Sequence, residues 1–161
     1  NPFEQTVTAN VSAGLSVDIN DNATGSDATN IKVSMAPQKV DESKTATVSA
    51  AYNNGNFTLT MKGKDASADL VKKGEATRKF VADGNIKLDR SAWGVKFTKN
   101  ASTVGGDAHY QAVPGSAGTA LTIADGTNTK STTKIQYGFS TAADMPTGDY
   151  TTTVVYTAAA N

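Results

Sequence analysis

From residue 3 to residue 19 the chain alternates without a slip. Odd positions read Phe3, Gln5, Val7, Ala9, Val11, Ala13, Leu15, Val17 and Ile19, and even positions read Glu4, Thr6, Thr8, Asn10, Ser12, Gly14, Ser16 and Asp18. A two-residue period of this kind is the pattern of a β-strand with one buried face. A continuous strand of that extent would run about 55 Å at ~3.3 Å per residue. A domain of 161 residues is only about 40 Å across. Either the ribbon bends at Gly14 into two strands, or its leading half leaves the body and completes the sheet of a neighbouring molecule by strand addition. In the second case the inserted face is Phe3, Gln5, Val7, Ala9 and Val11. Residues 1–13 are then an N-terminal extension, and 14–161 form the domain.

The remainder reads as more short strands. The polar run 20–27 is a loop, and Ile31, Val33 and Met35 alternate up to Pro37, which cannot donate to a central ladder. Ala46, Val48, Ala50 and Tyr52 alternate, then Asn53-Asn54-Gly55-Asn56 precedes Phe57, Leu59 and Met61. Asn-Gly between two such runs predicts a tight β-hairpin, because both central residues of its turn need positive φ. Residues 65–73, with Ala66, Ala68, Leu70 and Val71 before Gly74, suit a short helix. Phe80-Val81 and Ile86-Leu88, split by Asp83-Gly84-Asn85, read as a strand pair. Trp93, Val95 and Phe97 form an aromatic strand, with Tyr110 and Val113 placed to touch the core beyond it. Short strands follow at Leu121-Ile123 and at Ile135, Tyr137 and Phe139, and a turn at Pro146-Thr147-Gly148-Asp149. The last strand, 150–157, carries Tyr150, Thr152, Val154 and Tyr156 on one face. Eight or more strands with turn signals between them indicate an all-β protein, an immunoglobulin-like Greek-key β-sandwich.

Composition narrows the function. Fifteen basic residues balance fifteen acidic ones, which leaves no electrostatic footprint for nucleic acid. There is no cysteine, hence no disulfide, thiolate metal site or cysteine nucleophile. No apolar run approaches a membrane span and no leader precedes Asn1-Pro2. An exported protein whose signal has been removed is expected. His109 is the single histidine and sits in a Gly-rich stretch without a Gly-x-Ser-x-Gly elbow, so it reads as an exposed loop residue. Asp18, Asn20 and Asn22 have calcium-loop spacing, but Ala23 stands where such a loop needs Gly and Thr29 where it needs Glu; a solvated turn is expected. No pair of carboxylates has a spacing that implies glycoside chemistry. No cofactor, no metal and no enzymatic activity are expected. Trp93, with Tyr52, Tyr110 and Tyr137, could make a sugar-stacking platform, yet Trp93 keeps the phase of Val95 and Phe97 and so reads as core. Asn10, Asn22, Asn56 and Asn100 each open an Asn-x-Ser/Thr sequon.

Thr6-Val7-Thr8-Ala9-Asn10-Val11, then Leu15-Ser16-Val17-Asp18-Ile19 and Ile31-Lys32-Val33-Ser34-Met35-Ala36-Pro37, resemble the start of the major pilins of class 5 (CFA/I-like) chaperone–usher fimbriae. Pro146-Thr147-Gly148-Asp149-Tyr150 leading into Val154-Val155-Tyr156 is similar to their closing strand. It also resembles the ending of surface modules of Gram-positive bacteria, including the WxL type. The pilin resemblance implies an incomplete immunoglobulin-like domain whose groove is filled by the N-terminal strand of the next subunit, with Phe3, Val7, Ala9 and Val11 as donor residues. It implies an extracellular fimbrium, a helical homopolymer as partner, and a periplasmic chaperone, an usher and a tip adhesin as further partners. The absence of Cys agrees with it, and no Leu-Pro-x-Thr-Gly sorting motif is present. The expected function is therefore a structural fibre subunit assembled by donor-strand exchange. The alternative is a monomeric cell-wall- or carbohydrate-binding β-sandwich module.

Overall fold

The computed structural model describes residues 2–11, 16–19, 31–35, 38–42, 45–51, 56–105, 108–125 and 130–160; over 2–35 it gives the course of the backbone and the strand register. Twelve strands lie among the described residues: β1 (Pro2–Val11), β2 (Ser16–Ile19), β3 (Ile31–Met35), β4 (Val40–Glu42), β5 (Ala46–Ala51), β6 (Phe57–Gly63), β7 (Leu70–Lys72), β8 (Glu75–Ala82), β9 (Ala92–Phe97), β10 (Leu121–Ala124), β11 (Lys130–Ser140) and β12 (Gly148–Ala160). There is no helix among them.

The strands form two layers. In one, β12 is the spine: it pairs with β1 on one side and with β6 and β7 on the other, β6 continues to β10, and β1 continues through β3 to β2. In the other, β11 is the spine: β9 lies along one side, and β5 and β4 lie end to end along the other. β8 belongs to both, pairing with β7 in the first layer and, through Val81 and Ala82, with β9 in the second. From β9 onward successive strands alternate between layers, as an immunoglobulin-like Greek key requires.

Alternation explains the core. Tyr150, Val154 and Tyr156 of β12, Leu59 and Met61 of β6, and Trp93, Val95, Ile135, Tyr137 and Phe139 of β9 and β11 are fully buried. The layers meet through side chains. The Tyr137 and Tyr156 hydroxyls lie 2.5 Å apart, Phe80 packs edge-on to Tyr150 at 5.1 Å, and Trp93 Nε1 donates to the Ala68 carbonyl at 2.9 Å. The last bond satisfies the one polar atom of a side chain that is otherwise wholly core. At the entry to β12, Gly148 has φ 148° and the Tyr150 hydroxyl donates to the Pro146 carbonyl at 2.7 Å. That bond ties the turn to the strand it starts.

Three local expectations are corrected. β5 and β6 do not form a hairpin: β5 pairs with β11 and β6 with β10 and β12, in opposite layers. The Asn-Gly rule reads only the connection, whereas β5 finds its ladder on the longer β11 and β6 on the longer β12, and each delivers its apolar phase (Val48; Phe57, Leu59, Met61) to the core from its own side. The Asn-Gly pair itself lies outside the described residues, as do the loop at 20–27 and the calcium-like positions from Asn20 to Thr29. Residues 65–73 are not helical. Asp65 accepts from Ser116 N at 2.8 Å and Ala68 from Trp93, so the backbone is spent on distant partners and then enters β7. Gly74, at φ 83°, closes the β7–β8 turn rather than a helix. Finally, Ile86 and Leu88 are not a strand. Asp83 accepts from Asn85 N at 2.9 Å and pairs with Arg90, and Arg90 N donates to Lys87 O. These local bonds favour a turn, and Leu88 is 53% exposed.

Candidate subunit interface and an outer cleft

β1 occupies a slot. It runs antiparallel to β12 over all ten of its residues, from Pro2 opposite Thr157 to Val11 opposite Gly148, and parallel to β3 from Val7 opposite Ile31 to Val11 opposite Met35. The register sets Phe3, Gln5, Val7 and Ala9 opposite Tyr156, Val154, Thr152 and Tyr150. These four β12 residues are its buried set, at 0%, 0%, 8% and 0% exposure. Directly opposed residues share a face of the sheet, so the odd phase of β1 is in register with the core face of β12. β1 and β2 run in opposite directions with β3 between them, so within a single chain the ribbon is divided into two strands of the same layer.

A second feature lies on the outer face of the other layer, and the sequence reading did not anticipate it. β9 and β11 bury their odd positions, which turns the even positions outward. At the level where they face each other, two of those are glycines: Gly94 opposite Gly138, with Glu42 of β4 opposite Gly138 on its other side. The row therefore has no side chain in its middle, and Tyr110 lies in the gap. A Cβ on Gly138 would stand 2.5 Å from Tyr110 Cε1 and Cζ. The segment carrying Tyr110 is pinned by a two-way bond between Val95 and Gln111, at 2.9 and 2.8 Å. The Tyr110 hydroxyl donates to Glu42 Oε2, Lys96 Nζ reaches the same oxygen at 2.7 Å, and Lys96 Nζ sits 4.9 Å from the Tyr110 ring centroid. Donation from Lys96, then from Tyr110, holds the Glu42 carboxyl below the usual carboxylate range. Burial, reinforced by the Glu42 hydrogen bond, pushes the Tyr110 hydroxyl far above the usual phenol range. At neutral pH the carboxylate stays charged and the phenol stays protonated.

Beside this cluster opens a cleft of about 320 Å³, lined by Val40, Glu42, Gly84, Asn85, Ile86, Ala108, His109 and Tyr110. The sequence signal was present in outline: glycine inside an otherwise apolar strand marks close approach of another group, and both Gly94 and Gly138 are such residues. His109 is exposed, as expected of a loop histidine. Trp93 and Tyr137 are fully buried, so neither contributes to an exposed sugar-stacking platform. Tyr110 is half-buried at the cleft, and Tyr52 lies outside the described residues. Of the sequons, Asn56 and Asn100 are exposed, but the Asn100 side chain is engaged with Asp125, accepting from its N at 2.9 Å.

No family model matches the chain, and no curated protein matches it. Among solved structures it is similar to the AfaE-3 adhesin from Escherichia coli, with a TM-score of 0.47 and 16% identity over 99% of this chain and 96% of that one. It is also similar to the DraE adhesin in complex with chloramphenicol succinate, with a TM-score of 0.44 and 15% identity over 98% and 94%. The DaaE adhesin gives a TM-score of 0.41 and 16% identity over 98% and 95%. These three solved structures are adhesins.

Proposed function

We propose that the chain is a structural subunit of an extracellular bacterial fibre, in which the β1 position of each subunit is filled by residues 2–11 of the next. The observation that carries this reading is the place of β1. It is ten residues long and is held along its whole length by β12 and along half of it by β3. A sheet recognises backbone and phase, not chain identity, so the β1 of a second copy satisfies the same slot. Without any β1, one edge of β12 is bare beside a row of core residues that includes Tyr150, Val154 and Tyr156. A donor strand restores a ladder worth ~0.5–1.5 kcal/mol per hydrogen bond and buries apolar side chains at about 1.5–3 kcal/mol each. The donor face is Phe3, Gln5, Val7, Ala9 and Val11, residues 1–13 act as the extension and 14–161 as the receiving domain. Before assembly the slot calls for a substitute strand, the role of a periplasmic chaperone, with an usher and a tip adhesin as further partners. Among the described residues no helix is long and apolar enough to cross a membrane.

Deleting residues 1–12 tests the proposal. The truncated chain is expected to lose its cooperative thermal transition or drop in Tm by 10 °C or more, and to recover when a synthetic peptide of residues 2–11 is added, because about ten residues of ladder exceed the few kcal/mol by which domains are stable. A truncated chain that stays monomeric, folded and equally stable overturns it.

A further inference from the structure

The cleft on the outer face of the β9–β11 layer is not needed for strand exchange, which uses the other layer. We propose that it is a binding site for the terminal pyranose of a neutral glycan. Three observations select that chemistry. The first is charge: Glu42 is matched by Lys96 at 2.7 Å and the neighbouring Asp83 by Arg90. The site therefore offers no net charge to a phosphate, a sulfate or a carboxylated sugar, and a free cation gains little there. The second is the hydrogen-bonding set. Lys96 and Tyr110 both act on Glu42 Oε2, and Glu42 lines the cleft as a carboxylate acceptor for hydroxyls. The exposed Asn85 amide and the His109 ring add donors and acceptors at the rim. Donors and acceptors gathered around a small volume suit a ring bearing several hydroxyls. The third is the apolar part. Val40, 47% exposed, and Ile86 line the wall, as befits the C–H face of a sugar. The Tyr110 ring lies on the glycine pair with Lys96 beside it, so it is engaged within the protein rather than presented as a flat stacking surface for a planar ligand.

At about 320 Å³ the cleft admits one or two sugar rings, at the small end of ligand sites. A single neutral pyranose is expected to bind at millimolar strength, since a small polar ligand has few atoms from which to gain affinity. In a fibre, many such sites act together and raise the effective strength by orders of magnitude. Only this amplification rests on the fibre reading; binding to one chain does not.

The test uses the full-length, isotope-labelled chain in solution. Backbone amide resonances are followed during titration to 50 mM with the methyl glycosides of glucose, galactose and mannose and with N-acetylgalactosamine. N-acetylneuraminic acid and inorganic phosphate serve as charged probes. Saturable shifts confined to Glu42, Asn85, Ile86, His109 and Tyr110 are expected for at least one neutral glycoside, without matching shifts from either charged probe. Asn85→Ala, whose side chain is exposed at the rim, and Glu42→Ala should each weaken that binding about tenfold or more while the remaining spectrum is kept; Lys99→Ala, outside the cleft, should not. Shifts from none of the neutral probes, equal response to phosphate or N-acetylneuraminic acid, or unchanged affinity in folded Asn85→Ala and Glu42→Ala protein would each overturn the proposal. None of these outcomes bears on strand exchange, which is read separately from the truncated chain.

Discussion

Gly138 shows how much one missing Cβ decides. It stands between Glu42 and Gly94 on neighbouring strands, and its bare backbone is what lets the Tyr110 ring lie flat enough to reach Glu42. In Gly138→Ala the new methyl would meet Cε1 and Cζ of Tyr110 at 2.5 Å and its hydroxyl at 2.9 Å, inside any tolerable contact. The ring must move, Glu42 loses a donor, and the loop bonded through Gln111 is pushed off the sheet. A loss of about 1–3 kcal/mol is expected from overpacking. A spectrophotometric tyrosine titration should show one late-ionising phenol returning toward ~10, and unchanged tyrosine titration would show that the ring was not held there. Trp93 makes the complementary point. Its burial was legible from its phase with Val95 and Phe97, but its partner, the Ala68 carbonyl 25 residues away, was not. That bond depends on how the chain crosses between layers, and no local pattern encodes it. For the same reason no local pattern announces the cleft: its parts, Glu42, Asn85 and Tyr110, come from three separate segments.

Elements were legible where one face is buried along a whole strand. β3, β9, β10 and β12 appear where the alternation puts them, because period two with a constant apolar phase has only one solution. β5, β6 and β7 show the limit. β5 and β6 can be read locally as strands, but which layer receives a strand is set by competition for ladder edges among distant segments, and β11 and β12 are the longest ladders on offer; β7 reads locally as a helix, and its strand depends on β8 and β12. In β1 the phase itself makes a prediction. Val7 stands opposite Thr152, which is buried, and Thr8 opposite Thr151 on the other face. Val7→Asp is expected to weaken assembly by on the order of 3 kcal/mol or more, since a carboxylate would enter the core side without a partner, and Thr8→Asp by well under 1 kcal/mol. Val17→Asp, in β2, is expected to damage the stability of the subunit itself. Polymer yield by sedimentation and monomer melting temperature separate these effects. Equal loss of monomer stability from Val7→Asp and Val17→Asp would place β1 permanently within its own chain.

For the whole molecule, the proposed fibre requires one strand with two addresses. Within a single chain, β1 lies between β12 and β3; in the proposed fibre, the β1 of the next subunit would meet the same register. Both arrangements would bury the same face of β12 and satisfy the same backbone groups, so contacts alone do not choose between them. The chain has no cysteine, which makes a covalent readout unambiguous. Thr6 and Thr153 are directly opposed across β1 and β12, at a spacing a disulfide can bridge. In protein carrying Thr6→Cys and Thr153→Cys, assembled and then mildly oxidised, strand exchange predicts a ladder of dimers, trimers and longer species on a non-reducing denaturing gel, collapsing to one band on reduction. Assembled protein that yields only internally bridged monomer would contradict it.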